Sequence, residues 1–319
     1  MSLGEFELIE RYFTRPARRA ALGVGDDCAL LAPAPGMQLC VSSDMLVEGR
    51  HFLSTVPPQR LGHKALAVNL SDLAACGAEP LAFTLALALP RADERFLAGF
   101  AQGLYALAER HEIELVGGDT TAGPLNICIT VFGQVPAGSA LLRSGARAGD
   151  ELWVSGTLGD ARAALECFRG TLAVDARAYE QLRHALELPE PRVALGRRLR
   201  GIARSAIDVS DGLLGDLGHV LRRSGVGARL QFDALPRSAV LATLPPALQQ
   251  ECLLHGGDDY ELLFSAAPAQ HQAVLAAARE AGVPVRPIGH IEPGAALVVI
   301  DAAGQPLQTA MGGFDHFKT

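Results

Sequence analysis

Lysine is almost absent from this chain. Of its 28 basic residues only Lys64 and Lys318 are lysines, and the rest are arginines. A nucleotide-binding P-loop ends in Gly-Lys-Ser or Gly-Lys-Thr, and neither lysine follows such a turn, so that route to phosphate is excluded. Paired cysteines are missing too. The six cysteines, at 28, 40, 76, 128, 167 and 252, never fall as Cys-x-x-Cys, which argues against zinc and disulfide frameworks and for small core residues in a reducing compartment. Long hydrophobic runs are also lacking. The longest, Leu81 to Leu89, is strand-sized, so no membrane partner is expected. The start, MSLGEFELIERYF, carries acids and an amphipathic pattern in place of a basic-then-apolar leader, and the expected localisation is cytoplasmic. Positive charge is in deficit as well: 28 basic residues against 35 acidic ones give a net charge of −7. A phosphate backbone needs a concentrated basic face, so no nucleic acid is expected as a partner.

What remains is a compact folded chain, 49% hydrophobic and 20% charged, whose 319 residues are enough for two ordinary domains. Strand and helix patterns alternate in the first half. Met37 to Ser42 and Ala82 to Leu89 read as strands, Leu61 to Cys76 and Ala92 to His111 as helices. A short strand, Glu114 to Val116, runs into the turn-like Gly117-Gly118-Asp119, and Leu125 to Val135 is a further strand. Pro136 to Ala148, rich in Gly, Ala, Ser and Arg, marks a junction. The second half restarts with a strand at Glu151 to Ser155 and a helix at Ala161 to Phe168. Strands follow at Ser205 to Val209, Ala228 to Phe232 and Tyr260 to Ala266, with helices at Leu213 to Arg223 and Ala269 to Ala281. The expected fold is α/β (α+β) in two domains, 1–138 and 139–319.

The informative residues are aspartates at element ends. Asp27 lies in GVGDDCAL, Asp44 in VSSDMLVEGRHF, Asp72 in NLSDLAACGA, Asp119 in VGGDTTAG, and Asp208, Asp211 and Asp216 in AIDVSDGLLGDL. Any one of these segments alone reads more readily as a helix cap or a turn. Together they resist that account. Asp44 and Asp208 follow apolar strands directly, and Asp72 sits inside an apolar helical run, where an uncompensated carboxylate is costly. With lysine nearly absent, bound divalent cations are the natural compensation. Mg²⁺ takes oxygen ligands from a few carboxylates and from phosphates, so an acidic pocket can hold an anionic nucleotide. Arg143 suits a phosphate clamp, and a solvated surface arginine fits its spacing equally well. His51, read from its neighbours alone, is an ordinary half-buried histidine.

In this order, GVGDDCAL, SSDMLVEGRHF, KALAVNLSDLAACGAEP, VGGDTTAGP, RSGARAGD, AIDVSDGLLGDLGH, GGDDYELLF and GGFDHF resemble the thiamine-monophosphate kinase family, over about residues 4 to 317. The Asp-x-Ser-Asp-Gly and Arg-Ser-Gly-Ala pieces are also similar to the wider superfamily of aminoimidazole-ribonucleotide-synthetase-like ATP enzymes. The resemblance implies a two-domain PurM-like fold. Its N-terminal sheet domain would bind ATP and magnesium and form a barrel across a homodimer, and its C-terminal α/β domain would complete the cleft. It implies that ATP and thiamine monophosphate give ADP and thiamine diphosphate by direct in-line transfer with several Mg²⁺ ions.

Residue by residue, the resemblance makes Asp27, Ser42, Ser43, Asp44, Asp72, Asp119, Asp208 and Asp211 magnesium ligands. It makes Tyr105, Gly118, Arg143 and Ser210 ATP contacts, and it turns His51 into a substrate contact. Asp258 stands where the family has a substrate-facing glutamate, and Phe314 where it has Trp or Tyr before Asp-His-Phe. No residue is implied as an acid or base, and Asp72, Asp119 and Asp208 are central. Other readings are a different ATP-using enzyme of the superfamily, of the purine-pathway synthetase or hydrogenase-maturation type, and a metal- or thiamine-binding module without chemistry. The Gly256-Gly257-Asp258-Asp259-Tyr260 run also echoes diguanylate cyclases, a reading that leaves the N-terminal aspartates unexplained.

Overall fold

A computed structural model of the protein describes residues 4–25 and 27–308. The fold is α/β (α+β), and the chain falls into two compact units, residues up to 73 with 78–138, and 74–77 with 139 onward. Among the described residues no helix is long and apolar enough to cross a membrane. All six cysteines are free.

The first unit contains α1 (Glu5–Phe13), β1 (Met37–Val47), α2 (Pro58–Ala75), β2 (Glu79–Leu89), α3 (Glu94–Arg110), β3 (Glu114–Ala122) and β4 (Asn126–Pro136). Its sheet has the order β1-β4-β2-β3. β4 is antiparallel to both neighbours, and β2 and β3 run parallel, linked through α3. Strand alternation divides the sheet into two faces. Leu46, Ile127, Ile129, Val131, Leu85 and Leu87 are buried, each at 4% exposure or less, while Leu39, Val41 and Met45 on the other side of β1 are exposed. Helix α2 is buried from Leu61 almost to its end, with His63, Lys64, Asn69 and Ser71 among the buried side chains. It presses against α3 where a side chain would not fit. A Cβ on Gly62 would lie 2.0 Å from the Phe100 carbonyl, and one on Gly103 would lie 1.8 Å from that of Gln59.

The second unit contains β5 (Glu151–Ser155), α4 (Asp160–Phe168), α5 (Ala176–Glu187), α6 (Val193–Leu199), β6 (Ala203–Val209), α7 (Leu213–Ser224), β7 (Gly227–Gln231), α8 (Pro246–His255), β8 (Glu261–Ala266), α9 (His271–Ala281), β9 (Val285–Glu292) and β10 (Leu297–Ile300). The six-stranded sheet has the order β10-β7-β9-β5-β8-β6, and only β10 and β7 pair in parallel. Leu152, Val154, Ile207, Val209 and Leu263 from the sheet pack with Leu213, Leu217 and Val220 of α7.

One difference from the sequence reading concerns the site. Gly117 and Gly118, expected as a turn, lie inside β3. Gly118 has φ of 147°, and a Cβ there would meet the Leu85 carbonyl oxygen at 1.9 Å. The glycine lets β3 close on β2 just past the register shift between Phe83 and Thr84.

Candidate active site

In the first unit, the polar side chains of α2 tie down β1 and the loop after it. Ser42 Oγ donates to Asp72 Oδ2 at 2.5 Å. The Asp44 N–H donates to Asn69 Oδ1 at 3.0 Å, and Asn69 is anchored in turn to the Ala65 carbonyl. Lys64 is 2% exposed, and its Nζ donates to the His51 carbonyl at 3.3 Å. Asp72 and Asp44 are half-buried. His51 is held from the other side as well, since the Val47 N–H donates to its Nδ1 at 3.0 Å. With Nδ1 accepting, the neutral ring carries its hydrogen on Nε2 and offers a donor there.

Strand alternation separates the neighbouring serines. Ser42 and Asp44 lie on the α2 side of β1. Ser43 lies on the open face, beside Thr130 Oγ1 at 2.9 Å. Asp119, exposed, stands opposite Ala86 on β3, whereas Ser43 is on β1 at the other edge of the sheet. Three strand spacings separate those edges, about 14 Å. Asp27 is exposed, in the stretch between Leu22 and Leu30, whose backbones form an isolated antiparallel bridge. Tyr105 is buried in α3 with the Arg15 guanidinium 3.5 Å over its ring. Its hydroxyl has no hydrogen-bond partner among the described residues, and burial pushes its pKa up to about 12.

In the second unit, the expected residues converge on the end of β6. Asp208 is 4% exposed near the strand's end, and Ser210 and Asp211 follow it. Both of their N–H groups donate to Asp216 Oδ2, each at 3.0 Å. Asp216 is buried in the first turns of α7, and burial lifts its pKa to about 7 against the pull of those N–H bonds. The Asp258 segment is stitched alongside: the Asp258 N–H donates to the Ser210 carbonyl at 2.9 Å and the Tyr260 N–H to that of Val209 at 2.8 Å. Asp258 and Tyr260 have φ of 67° and 51°, an uncommon conformation for side-chain-bearing residues. Tyr260 OH donates to Asp258 Oδ1 at 3.1 Å. Behind them Asp259 accepts the Gly159 N–H through both oxygens, at 2.9 and 3.0 Å. Arg143 lies in the loop before β5, its carbonyl bonded by Ser224 Oγ at 3.3 Å. Phe314 lies outside the described residues.

Two family models match the chain: the N-terminal domain of AIR synthase related protein over residues 25–135, and its C-terminal domain over 147–302. The thiamine-monophosphate kinase of Salmonella typhimurium is 44% identical over the full length of both chains. The chain belongs to the thiamine-monophosphate kinase family. Among solved structures, the thiamine-monophosphate kinase from Stenotrophomonas maltophilia K279a has a TM-score of 0.87 and 47% identity, covering 96% of this chain and 99% of its own. AaThiL, solved in complex with AMPPCP and TMP, has a TM-score of 0.78 and 29% identity, covering 90% of this chain and 89% of its own.

Lys64, Asn69, Asp216, Asp259 and Ser224 were not singled out as site residues from the sequence, since each acts through a partner distant in the chain or through backbone. Only Asp216 left a trace, as the last acid of AIDVSDGLLGDL. In the first unit the structure groups Ser42, Asp44 and Asp72, and in the second, separately, Asp208, Ser210, Asp211 and Asp258. It does not group Ser43 or Asp119 with the first set.

Proposed function

We propose that the chain transfers the γ-phosphoryl group of ATP to thiamine monophosphate, giving ADP and thiamine diphosphate. The observation that carries this reading is the full-length match, in sequence and in fold, to thiamine-monophosphate kinases, with a related protein solved holding AMPPCP and TMP.

The transfer is direct and in line. An oxygen of the acceptor phosphate bonds to the γ-phosphorus as the bond from that phosphorus to the β–γ bridging oxygen breaks, and ADP leaves with the electron pair. The acceptor phosphate is already anionic near neutral pH, its second pKa being about 6, so no side chain has to act as a strong base. The task of the chain is positioning. His51 offers its Nε2–H to the substrate, Arg143 clamps phosphate oxygens, Ser210, Gly118 and Tyr105 contact ATP, and Asp258 and Phe314 face the thiamine end.

Several Mg²⁺ ions supply the neutralisation of phosphate charge when bound. The donors fit them. Asp27, Ser42, Ser43, Asp44, Asp72, Asp119, Asp208 and Asp211 offer only hard oxygen, with no thiolate or imidazole. No group of three or more His, Cys, Asp or Glu side chains is gathered to hold an ion among the described residues. Magnesium is commonly held by one or two carboxylates, with phosphate oxygens completing the shell. The working form is a cytoplasmic homodimer, its contact the open face and free edge of β1, where Leu39, Val41 and Met45 are exposed.

The deciding experiment is coupled ADP release with ATP, Mg²⁺ and a panel of thiamine and purine metabolites. Turnover is expected with thiamine monophosphate. Asp72→Asn is expected to lower it by at least about 100-fold while the fold is kept. A well-folded protein that ignores thiamine monophosphate but phosphorylates another metabolite would sink the substrate assignment.

A further inference from the structure

Helix α7 touches two separate loops, and at each it uses a side chain to hold backbone. Near its start, a single oxygen of buried Asp216 accepts the N–H groups of Ser210 and Asp211, both at 3.0 Å. At its last residue, Ser224 Oγ accepts the N–H groups of Gly145 and Ala146 at 3.1 and 3.2 Å and donates to the Arg143 carbonyl at 3.3 Å. Each pin thus receives two backbone donors from a loop that carries an expected ATP contact, Ser210 in one case and Arg143 in the other. Between the pins, His219 Nδ1 and Arg222 Nη2 lie 3.1 Å apart.

The helix itself is a stiff support. Leu213, Leu214, Leu217, Val220 and Leu221 are buried on one face. Glycines end it on both sides: Gly212 has φ of 108°, and Gly225 closes the C-terminus at φ of 68°. The pins are eight residues apart, about 12 Å along the axis at 1.5 Å per residue. Their spacing is fixed by helix geometry and does not depend on loop conformation.

We infer that Asp216 and Ser224 are positioning residues for nucleotide binding, α7 acting as a ruler that sets the distance between the Ser210–Asp211 loop and the Arg143 loop. The inference rests on the proposed ATP-dependent activity and adds the residues that place its nucleotide contacts. What each pin needs is an oxygen acceptor, not a charge, and this separates positioning from electrostatics. Asp216→Asn keeps the acceptor; Asp216→Ala removes it. Ser224→Thr keeps the hydroxyl; Ser224→Ala removes it.

The test measures KM for ATP, KM for thiamine monophosphate, the Kd of AMPPCP with Mg²⁺ by calorimetry, and Tm, on the full chain. Each alanine variant is expected to raise KM for ATP and the AMPPCP Kd by about 5- to 30-fold, the range for losing one or two backbone hydrogen bonds. KM for thiamine monophosphate should stay within about twofold, and Asp216→Asn and Ser224→Thr should each retain most of the nucleotide affinity. Ser224→Ala removes only a half-buried hydroxyl and carries the test if Asp216→Ala does not fold. Lower Tm with unchanged AMPPCP affinity would overturn the inference and leave both residues as helix caps. Equal weakening of both substrates would overturn it too. If the wild-type chain binds AMPPCP yet does not phosphorylate thiamine monophosphate, the proposed function fails while the Kd values still decide the role of α7.

Discussion

The two units treat negative charge in opposite ways. Among the described residues every buried acid lies in the second unit: Asp150, Asp160, Glu187, Asp208, Asp216 and Glu261. The buried polar residues of the first unit are His63, Lys64, Asn69, Ser71 and Gln134, none of them acidic. Its expected metal ligands Asp27 and Asp119 are exposed, and Asp44 and Asp72 are half-buried. Carboxylates that stay near water keep their charge and can be shared with a cation. Carboxylates sealed in the interior must be bonded by protein groups, and they then act as braces. The first unit therefore keeps its expected ligands near water, and the second closes buried acids such as Asp150, Asp160, Glu187, Asp216 and Glu261 into bonds with protein groups.

The strongest way to break this comparison is at Glu261. Its Oε2 accepts Arg192 Nε at 2.7 Å and Ser155 Oγ at 2.5 Å, and its Oε1 accepts Arg192 Nη2 at 2.5 Å. The carboxyl also fills the space where a Cβ on Gly156 would sit, 1.9 Å from Oε1. Arg192→Met leaves a buried carboxylate without its cation. That is expected to cost about 3–5 kcal/mol, lowering Tm by roughly 10 °C. Replacing both partners, Arg192→Met with Glu261→Met, should recover more than half of that loss, because an apolar pair does not strand a charge. In the first unit, Asp119→Asn should move Tm by no more than about 2 °C, in keeping with an exposed site. Thermal scans on the four proteins decide it. A small effect of Arg192→Met would remove the distinction between braces and ligands.

Much of the fold is legible in the sequence, and the exceptions have physical causes. The α2 run is readable from its apolar residues between Leu61 and Ala75, and Asp72 stands out inside it. The strands β1, β2 and β4 were readable from their apolar stretches. The Gly117-Gly118 pair misled because glycine signals a turn on its own, whereas here it answers a neighbouring strand's carbonyl at Leu85. The division of Ser42 from Ser43 follows from strand alternation, but only once β1 is known to extend through them to Val47. Asn69, Ser224 and Asp259 carried no signal because they bond backbone groups 25, 78 to 79 and 100 residues away. Helix α8 went unread, its apolar residues lacking a one-sided stripe.

A smaller effect sharpens the contrast through pH. Burial, the largest influence on Asp216, raises its pKa to about 7; Asp211 adds to the rise, and the Ser210 and Asp211 N–H bonds and Arg143 oppose it. A carboxyl raised in the folded state binds its proton more tightly there than in the unfolded chain, where its value is about 3.9. Its contribution to stability is fully present below that value and is lost as pH rises through about 7. Asp216→Asn cannot titrate. In magnesium-free buffer, the Tm of the wild type relative to this variant should therefore fall between pH 5 and pH 8, by an amount equivalent to a few kcal/mol at most. A difference that stays flat across that range would show that the buried acid does not carry the proton.

The smallest expected effect asks whether burial, and not membership of a unit, makes the difference. Arg11 and Glu94 of the first unit form an ion pair at 2.8 Å with side chains 56% and 52% exposed. Arg229 and Glu292 of the second pair at 2.7 Å with side chains 44% and 36% exposed. Both pairs stand in water, where Coulomb attraction is screened and ordering two long side chains offsets what is left. Arg11→Ala and Arg229→Ala should each leave the urea midpoint almost unchanged, and 0.5 M salt should shrink even that small shift. A loss at Arg229 approaching that of Arg192→Met would mean that the second unit depends on ion pairs wherever they lie. Equal, small losses at Arg11 and Arg229 leave burial as the cause, and with it the reason that an exposed acid of the first unit such as Asp119 can be replaced without unfolding it.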